Sequence, residues 1–195
     1  MSIIDKVVAA VTPPESEETR AEARAKARAS SGPGDWLAMV IDHHEQVEEA
    51  FAAVRAATDP APRTRALREL STLLTGHSIA EEAALYPALA KADEKGHATK
   101  AYAEQSAAKL QLGLLLDLPP MSQDFVEKLG HIEGAVARHV YEEESNWFLD
   151  LKTKIPAADQ VKLTQRYQEQ FARYMGDELG DESDSWPSEA TASRR

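Results

Sequence analysis

The chain has 195 residues, enough for one domain with a full core plus extensions, and no cysteine, which excludes disulfides, thiolate metal sites and cysteine nucleophiles. Asp and Glu (33) outnumber Lys and Arg (22), and the formal charge of −11 argues against nucleic acid and anionic membrane surfaces as partners. No apolar run approaches the roughly 18 residues that a bilayer span needs, and the start MSIIDKVVAAVTPPESEE lacks the basic-then-apolar build of a secretory signal, so the expected location is the cytoplasm.

Glycine is scarce (9), alanine and leucine abound and β-branched runs are missing, a composition that reads all-α. Residues 3–11 hold a short apolar periodicity that Pro13-Pro14 stops. The stretch 18–30, ETRAEARAKARAS, has good helix propensity but no apolar face, which predicts a solvated helix or mobile arm, with a partner-binding arm as the alternative. SSGPGD (30–35) reads as a linker, with Asp35 placed to cap the next helix.

Four core helices follow. The first, about 36–58, carries the stripe Leu37, Val40, His44, Val47, Phe51, Val54. The second, about 63–91, carries Leu67, Leu70, Leu74, His77, Glu81, Leu85, Ala88. The third, about 98–116, carries Ala101, Gln105, Ala108, Leu112, Leu115. The fourth, about 123–152, carries Phe125, Leu129, Ile132, Val136, His139, Glu143, Trp147, Leu151. A smaller amphipathic helix, about 157–179, carries Val161, Leu163, Tyr167, Phe171, Met175 and Leu179, and the polar tail after it reads as disordered. Short loops between long helices predict an up-and-down four-helix bundle over 36–152, with an N-terminal helical arm and linker (1–35) and an additional C-terminal helix and tail (153–195).

Polar residues interrupt each apolar stripe at inward positions. Two copies of His-x-x-x-Glu, His77 to Glu81 and His139 to Glu143, each set an imidazole and a carboxylate one helical turn apart on one face. Burying an ionised carboxylate without a partner costs several kcal/mol, and two in one core repel. A divalent cation compensates both and orders the donors, so the repeated pair, with His44, points to a metal of the iron, manganese or zinc kind. Of His43 and His44, stripe counting puts His44 inside and His43 beside it as a flanking or supporting group. Glu82, Glu142 and Glu144 flank the pairs as surface charge or as acceptors for ligand imidazoles. His97 and His131 are expected to face solvent. No phosphate loop, nucleophile elbow or other enzyme motif appears.

The segments DHHEQVEEAF, GHSIAEEAALYPAL and RHVYEEESNWF resemble the hemerythrin-like (HHE cation-binding) family over about 36–152. The resemblance implies two irons bridged by Glu81 and Glu143 and by an oxo or hydroxo group, with His44 and His77 on one iron and His139 on the other. It also favours His44 over His43. The family's third-helix histidine is replaced here by Gln105, and Lys109 stands one turn further on. Tyr102 or Glu104 could rotate in, Gln105 could ligate through its oxygen or a water, or a single metal could sit on His44 and His77. A small, dry pocket is expected, suited to O₂, peroxide or nitric oxide. Three functions stay open: O₂ binding or sensing, a redox enzyme or scavenger acting on peroxide or nitric oxide, and a non-catalytic iron-binding stress protein.

Overall fold

The computed structural model describes residues 15–92 and 94–180, and among them every regular element is a helix. They are α1 (Glu17–Ser30), α2 (Trp36–Ala56), α3 (Pro60–Lys91), α4 (Lys95–Leu116), α5 (Gln123–Glu142), a π-helical turn (Glu143–Trp147), α6 (Phe148–Lys154) and α7 (Ala157–Gly180). The apolar periodicity at 3–11 and the tail beyond 180 lie outside the described residues.

Local chemistry sets the helix starts. The Ser16 hydroxyl accepts from the Thr19 N–H at the head of α1, and Ser122 does the same for Phe125 at the head of α5. Pro60 opens α3, where its missing N–H costs nothing. Asp35 caps α2 as expected, accepting from the Ala38 N–H at 2.9 Å, and also accepts from the Gly32 N–H at 2.7 Å and from Lys152 Nζ. Gly34 makes the turn into this cap at φ 68°, a backbone conformation that side-chain-bearing residues rarely adopt. Asp35→Ala therefore removes a cap and an inter-helix ion pair, and should cost about 1–2 kcal/mol in chemical denaturation.

Helices α2, α3, α4 and α5 pack in ring order, each on its two sequence neighbours, with α5 closing on α2. This is the expected four-helix bundle. Two apolar clusters fill it. One gathers Trp36, Leu37, Ile41, Leu85, Leu89, Phe148 and Leu151; the other gathers Phe51, Val54, Leu67, Leu70, Leu112, Phe125 and Leu129. The buried polar residues named above lie between them along the bundle.

The additional C-terminal helix α7 lies along α3 and α2. Its contact depends on Gly76 of α3: a Cβ there would meet Tyr174 Cδ1 at 2.9 Å and Met175 Sδ at 3.2 Å. Tyr167 and Phe171 face inward, but Val161, counted with them in the stripe, is 59% exposed. Gly76→Leu should push α7 off the bundle, lowering stability by about 1–3 kcal/mol and exposing α7 to limited proteolysis.

The segment 18–30 is not a solvated arm. Helix α1 lies against α2, the π turn and α6, burying Ala23 and Ala27. Two alanines one turn apart make a face small enough for close approach but too weak to register as an apolar stripe. Charge supplies the rest. Arg24 bonds Glu48 at 2.7 and 2.9 Å and Glu144 at 3.0 and 3.1 Å, while Arg28 pairs with Asp42 and Glu45.

The π turn was also not foreseen. The fourth core stripe runs at intervals of three and four as far as His139, then at four, four and four through Glu143, Trp147 and Leu151. A wider turn suits that run. It also brings two successive acids, Glu143 and Glu144, to buried positions, which a regular α-helix would set about 100° apart.

Candidate metal centre

The centre draws on every helix of the ring. Helix α2 gives His44, α3 gives His77 and Glu81, α4 gives Gln105, α5 gives His139 and the π turn gives Glu143; all are buried. Ligand-type atoms of His44, His77, Glu81 and Glu143 lie within 4.8 Å of one another. His44 Nε2 is 3.3 Å from Glu143 Oε2 and 3.8 Å from Glu81 Oε1, and His77 Nε2 is 3.3 Å from Glu81 Oε2. On the other side of the two acids, His139 Nε2 is 3.3 Å from Glu143 Oε1.

All three imidazoles are oriented the same way. Each is held through Nδ1 and turns Nε2 to the centre. His44 Nδ1 shares a hydrogen bond of 2.9 Å with Glu144, His77 Nδ1 one of 3.1 Å with the Tyr167 hydroxyl, and His139 Nδ1 one of 3.0 Å with Glu104. Metal-binding histidines are held in this manner, which fixes tautomer and ring angle. Glu144 is in turn clamped by Arg24, so a chain of contacts runs from α1 to His44.

The inward atoms are left over. His44 Nε2, Glu81 Oε1, Gln105 Oε1 and Glu143 Oε2 are buried and have no hydrogen-bond partner. Buried polar atoms are nearly always satisfied, and three of these orphans, on His44, Glu81 and Glu143, belong to the group whose ligand-type atoms lie close enough together to hold a cation. The electrostatics agree. Burial works against charge on His44, but Glu143, Glu144 and Glu81 outweigh it and hold its pKa well above the ordinary imidazole value. His139 is opposed by burial and lifted by Glu143 and Glu104 to about 10. Burial and then Glu143 push Glu81 up to about 7, whereas His139 and His44 overcome burial at Glu143 and hold it low. Burial and the charge on His44 keep His77 well below the usual imidazole range. The raised imidazoles of His44 and His139 offset the charges of Glu81 and Glu143, a role that a bound cation would take over.

The other sequence candidates separate. Gln105 reaches the centre, its Nε2 donating to Glu81 Oε2. Glu104 does not face the cluster; it supports His139 from behind. Tyr102 is 37% exposed and donates to the Glu82 carbonyl at 2.8 Å, away from the centre. Glu82 accepts from Lys109 Nζ at 2.6 Å. His43 is half-buried, stacks on Phe171 with ring centroids 3.9 Å apart, and meets the Tyr167 hydroxyl at 2.8 Å. His131 is exposed, but His97, expected in solvent, is half-buried and stacks on Trp147 at 5.4 Å.

Three participants escaped the sequence reading. Tyr86 is fully buried, its hydroxyl 3.0 Å from Glu81 Oε2, 3.0 Å from Glu143 Oε1 and 3.2 Å from His139 Nε2. It lies five residues after Glu81, off the counted stripe, and only tertiary contact turns it inward. Tyr167 comes from outside the four-helix ring, and Arg24 from a helix read as solvated. The pocket is also larger than expected. A cavity of about 890 Å³ runs from His44, His77, Gln105 and His139 between α4 and α5 toward exposed His131. Alanines at 107, 108 and 135 line it, too short to close the gap.

Residues 37–150 match the family model described as the hemerythrin HHE cation binding domain. A curated relative described as a DNA nickase, from Nostoc sp. (strain PCC 7120 / SAG 25.82 / UTEX 2576), is 27% identical over 112 residues, which cover 57% of this chain and 32% of that protein. The chain thus matches about a third of that relative's length. No solved structure gives a significant match. The family is one of metal-cation binders, and the buried His and Glu donors with orphaned inward atoms suit that role. On a match that covers more than half of its length, the chain belongs to the hemerythrin HHE cation-binding domain family.

Proposed function

We propose that this protein is a non-haem iron protein whose centre binds or senses O₂ or a related diatomic molecule. His44, His77, Glu81 and Glu143 would hold one iron, and His139 would hold a second with the two acids shared between them. The observation that carries this reading is the convergence of three Nε2 atoms, each fixed from behind through Nδ1, on two buried carboxylates whose inward oxygens lack partners. Bound iron would supply a redox-active Lewis acid. The chain supplies the rest: fixed imidazoles, two shared carboxylates, and a largely apolar cavity through which a small neutral molecule can reach the centre.

A second reading, redox turnover of peroxide or nitric oxide, is favoured by the donor set itself. Gln105 stands in place of an imidazole and oxygen donors dominate, which stabilises ferric over ferrous iron. The nicking activity in the name of the Nostoc relative is not carried over, because the match covers 32% of that protein and a net charge of −11 disfavours a polyanion. No helix among the described residues is long and apolar enough to cross a membrane, and a cytoplasmic location belongs to the same proposal.

Metal analysis of the purified protein, followed by optical spectra under air, nitric oxide and peroxide, tests both readings. A band that forms in air and reverses under vacuum supports O₂ binding. Catalytic loss of peroxide or nitric oxide supports turnover instead. Iron that responds to none of the three leaves a storage or protective role, and a protein that takes up no metal defeats the proposal.

A further inference from the structure

We propose that Tyr86 is itself a metal ligand, a phenolate that completes the second metal position alongside His139, Glu143 and Glu81. The inference rests on the reading that the His and Glu cluster holds metal. It starts from how the two acids divide their oxygens. Glu143 turns Oε2 toward His44 and Oε1 toward His139 and Tyr86; Glu81 turns Oε1 toward His44 and Oε2 toward His77, Gln105 and Tyr86. Glu143 therefore separates His44 on one oxygen from His139 and Tyr86 on the other, while Oε2 of Glu81 is shared between His77 and Tyr86. The His44 side has two imidazoles. The His139 side has one, and the group facing it is the Tyr86 hydroxyl.

The separations suit coordination. The Tyr86 oxygen stands 3.0 Å from Glu81 Oε2, 3.0 Å from Glu143 Oε1 and 3.2 Å from His139 Nε2, and those last two atoms are 3.3 Å apart. Three of these donors, the Tyr86 oxygen, Glu143 Oε1 and His139 Nε2, lie within 3.3 Å of one another and so can each stand roughly 2 Å from one ion, the usual metal–nitrogen and metal–oxygen bond length. As a hydrogen-bond donor the hydroxyl has one proton for two carboxylate oxygens, so one of those contacts gains little from it. As a ligand it serves both through one cation. On coordination the phenol O–H bond breaks and its proton passes to water, leaving a hard anionic oxygen of the kind that ferric iron favours. The ring is fully buried and held by an edge contact with Tyr102, centroids 5.1 Å apart. Tyr102 itself, with its hydroxyl on the Glu82 carbonyl, is the internal control.

The test uses the full chain reconstituted with ferrous iron and oxidised in air, as wild type, Tyr86→Phe and Tyr102→Phe. Iron per chain, the visible spectrum and resonance Raman scattering are recorded, with far-UV circular dichroism confirming the fold. Wild type and Tyr102→Phe should show a phenolate-to-iron charge-transfer band with tyrosinate vibrations, and should bind two irons. Tyr86→Phe should lose the band and fall from two irons to one. Iron bound by the wild type without tyrosinate vibrations, or a band that persists in Tyr86→Phe, overturns the inference while leaving the metal centre standing. A wild type that binds no iron overturns the metal centre itself, and this inference with it.

Discussion

His77→Ala and Glu81→Ala are expected to leave the protein folded and without metal, while His131→Ala keeps its full complement. His77 and Glu81 present Nε2 and a carboxylate inside the cluster, where ligand-type atoms of four buried residues lie within 4.8 Å of one another. His131 is exposed at the far end of the cavity and touches none of the donors. Elemental analysis reads the difference directly. Thermal unfolding gives a second measure, because a ligand present at about 1,000 times its Kd adds about 4 kcal/mol, or roughly 10 °C in a chain of this size. A chelator should lower the wild-type and His131→Ala midpoints by about that much and leave those of His77→Ala and Glu81→Ala unmoved. Metal content equal to wild type in either of the two cluster variants contradicts the assignment.

Arg24→Ala should destabilise the protein more than its place in an N-terminal helix suggests, by about 3–5 kcal/mol. Glu144 is buried, and its oxygens are claimed by Arg24 on one side and His44 Nδ1 on the other. Removing the guanidinium leaves a buried carboxylate with one partner, the situation in which breaking an ion pair costs most. Arg24→Ala combined with Glu144→Gln removes the stranded charge and should regain most of the loss. The metal should respond as well. Without Glu144 fixed behind it, His44 loses its preferred tautomer and angle, so Glu144→Ala should weaken metal binding by about 10- to 100-fold. Chemical denaturation of the metal-free proteins and competition with a chromophoric chelator separate the two effects. Equal stability of Arg24→Ala and wild type would show that α1 rests on the bundle without holding it.

The bundle and most of the cluster were legible in order along the chain. The stripes of α2, α3 and α5 recur at three and four residues because each helix buries one face, and any polar residue on that face must share the interior with others of its kind. Reading His44, His77, Glu81, Gln105, His139 and Glu143 as inward-facing therefore needed only helical periodicity. Gly76 gave no hint that α7 would dock there, because a glycine in a helix advertises space without saying what fills it. Helix α1 was misread because its buried face is two alanines, and its attachment comes from charges whose partners lie 24 and 120 residues away.

What the amino-acid order determined by itself is the set of donors and the helix face on which each stands, since those follow from periodicity alone. What tertiary structure decided is which atoms of those donors face one another and what holds them there. Tyr86, Tyr167, Glu144 and Arg24 belong to that second kind. Their roles depend on the angle between helices and on a wide turn at Glu143, and such geometry arises only when separate apolar faces find their packing together.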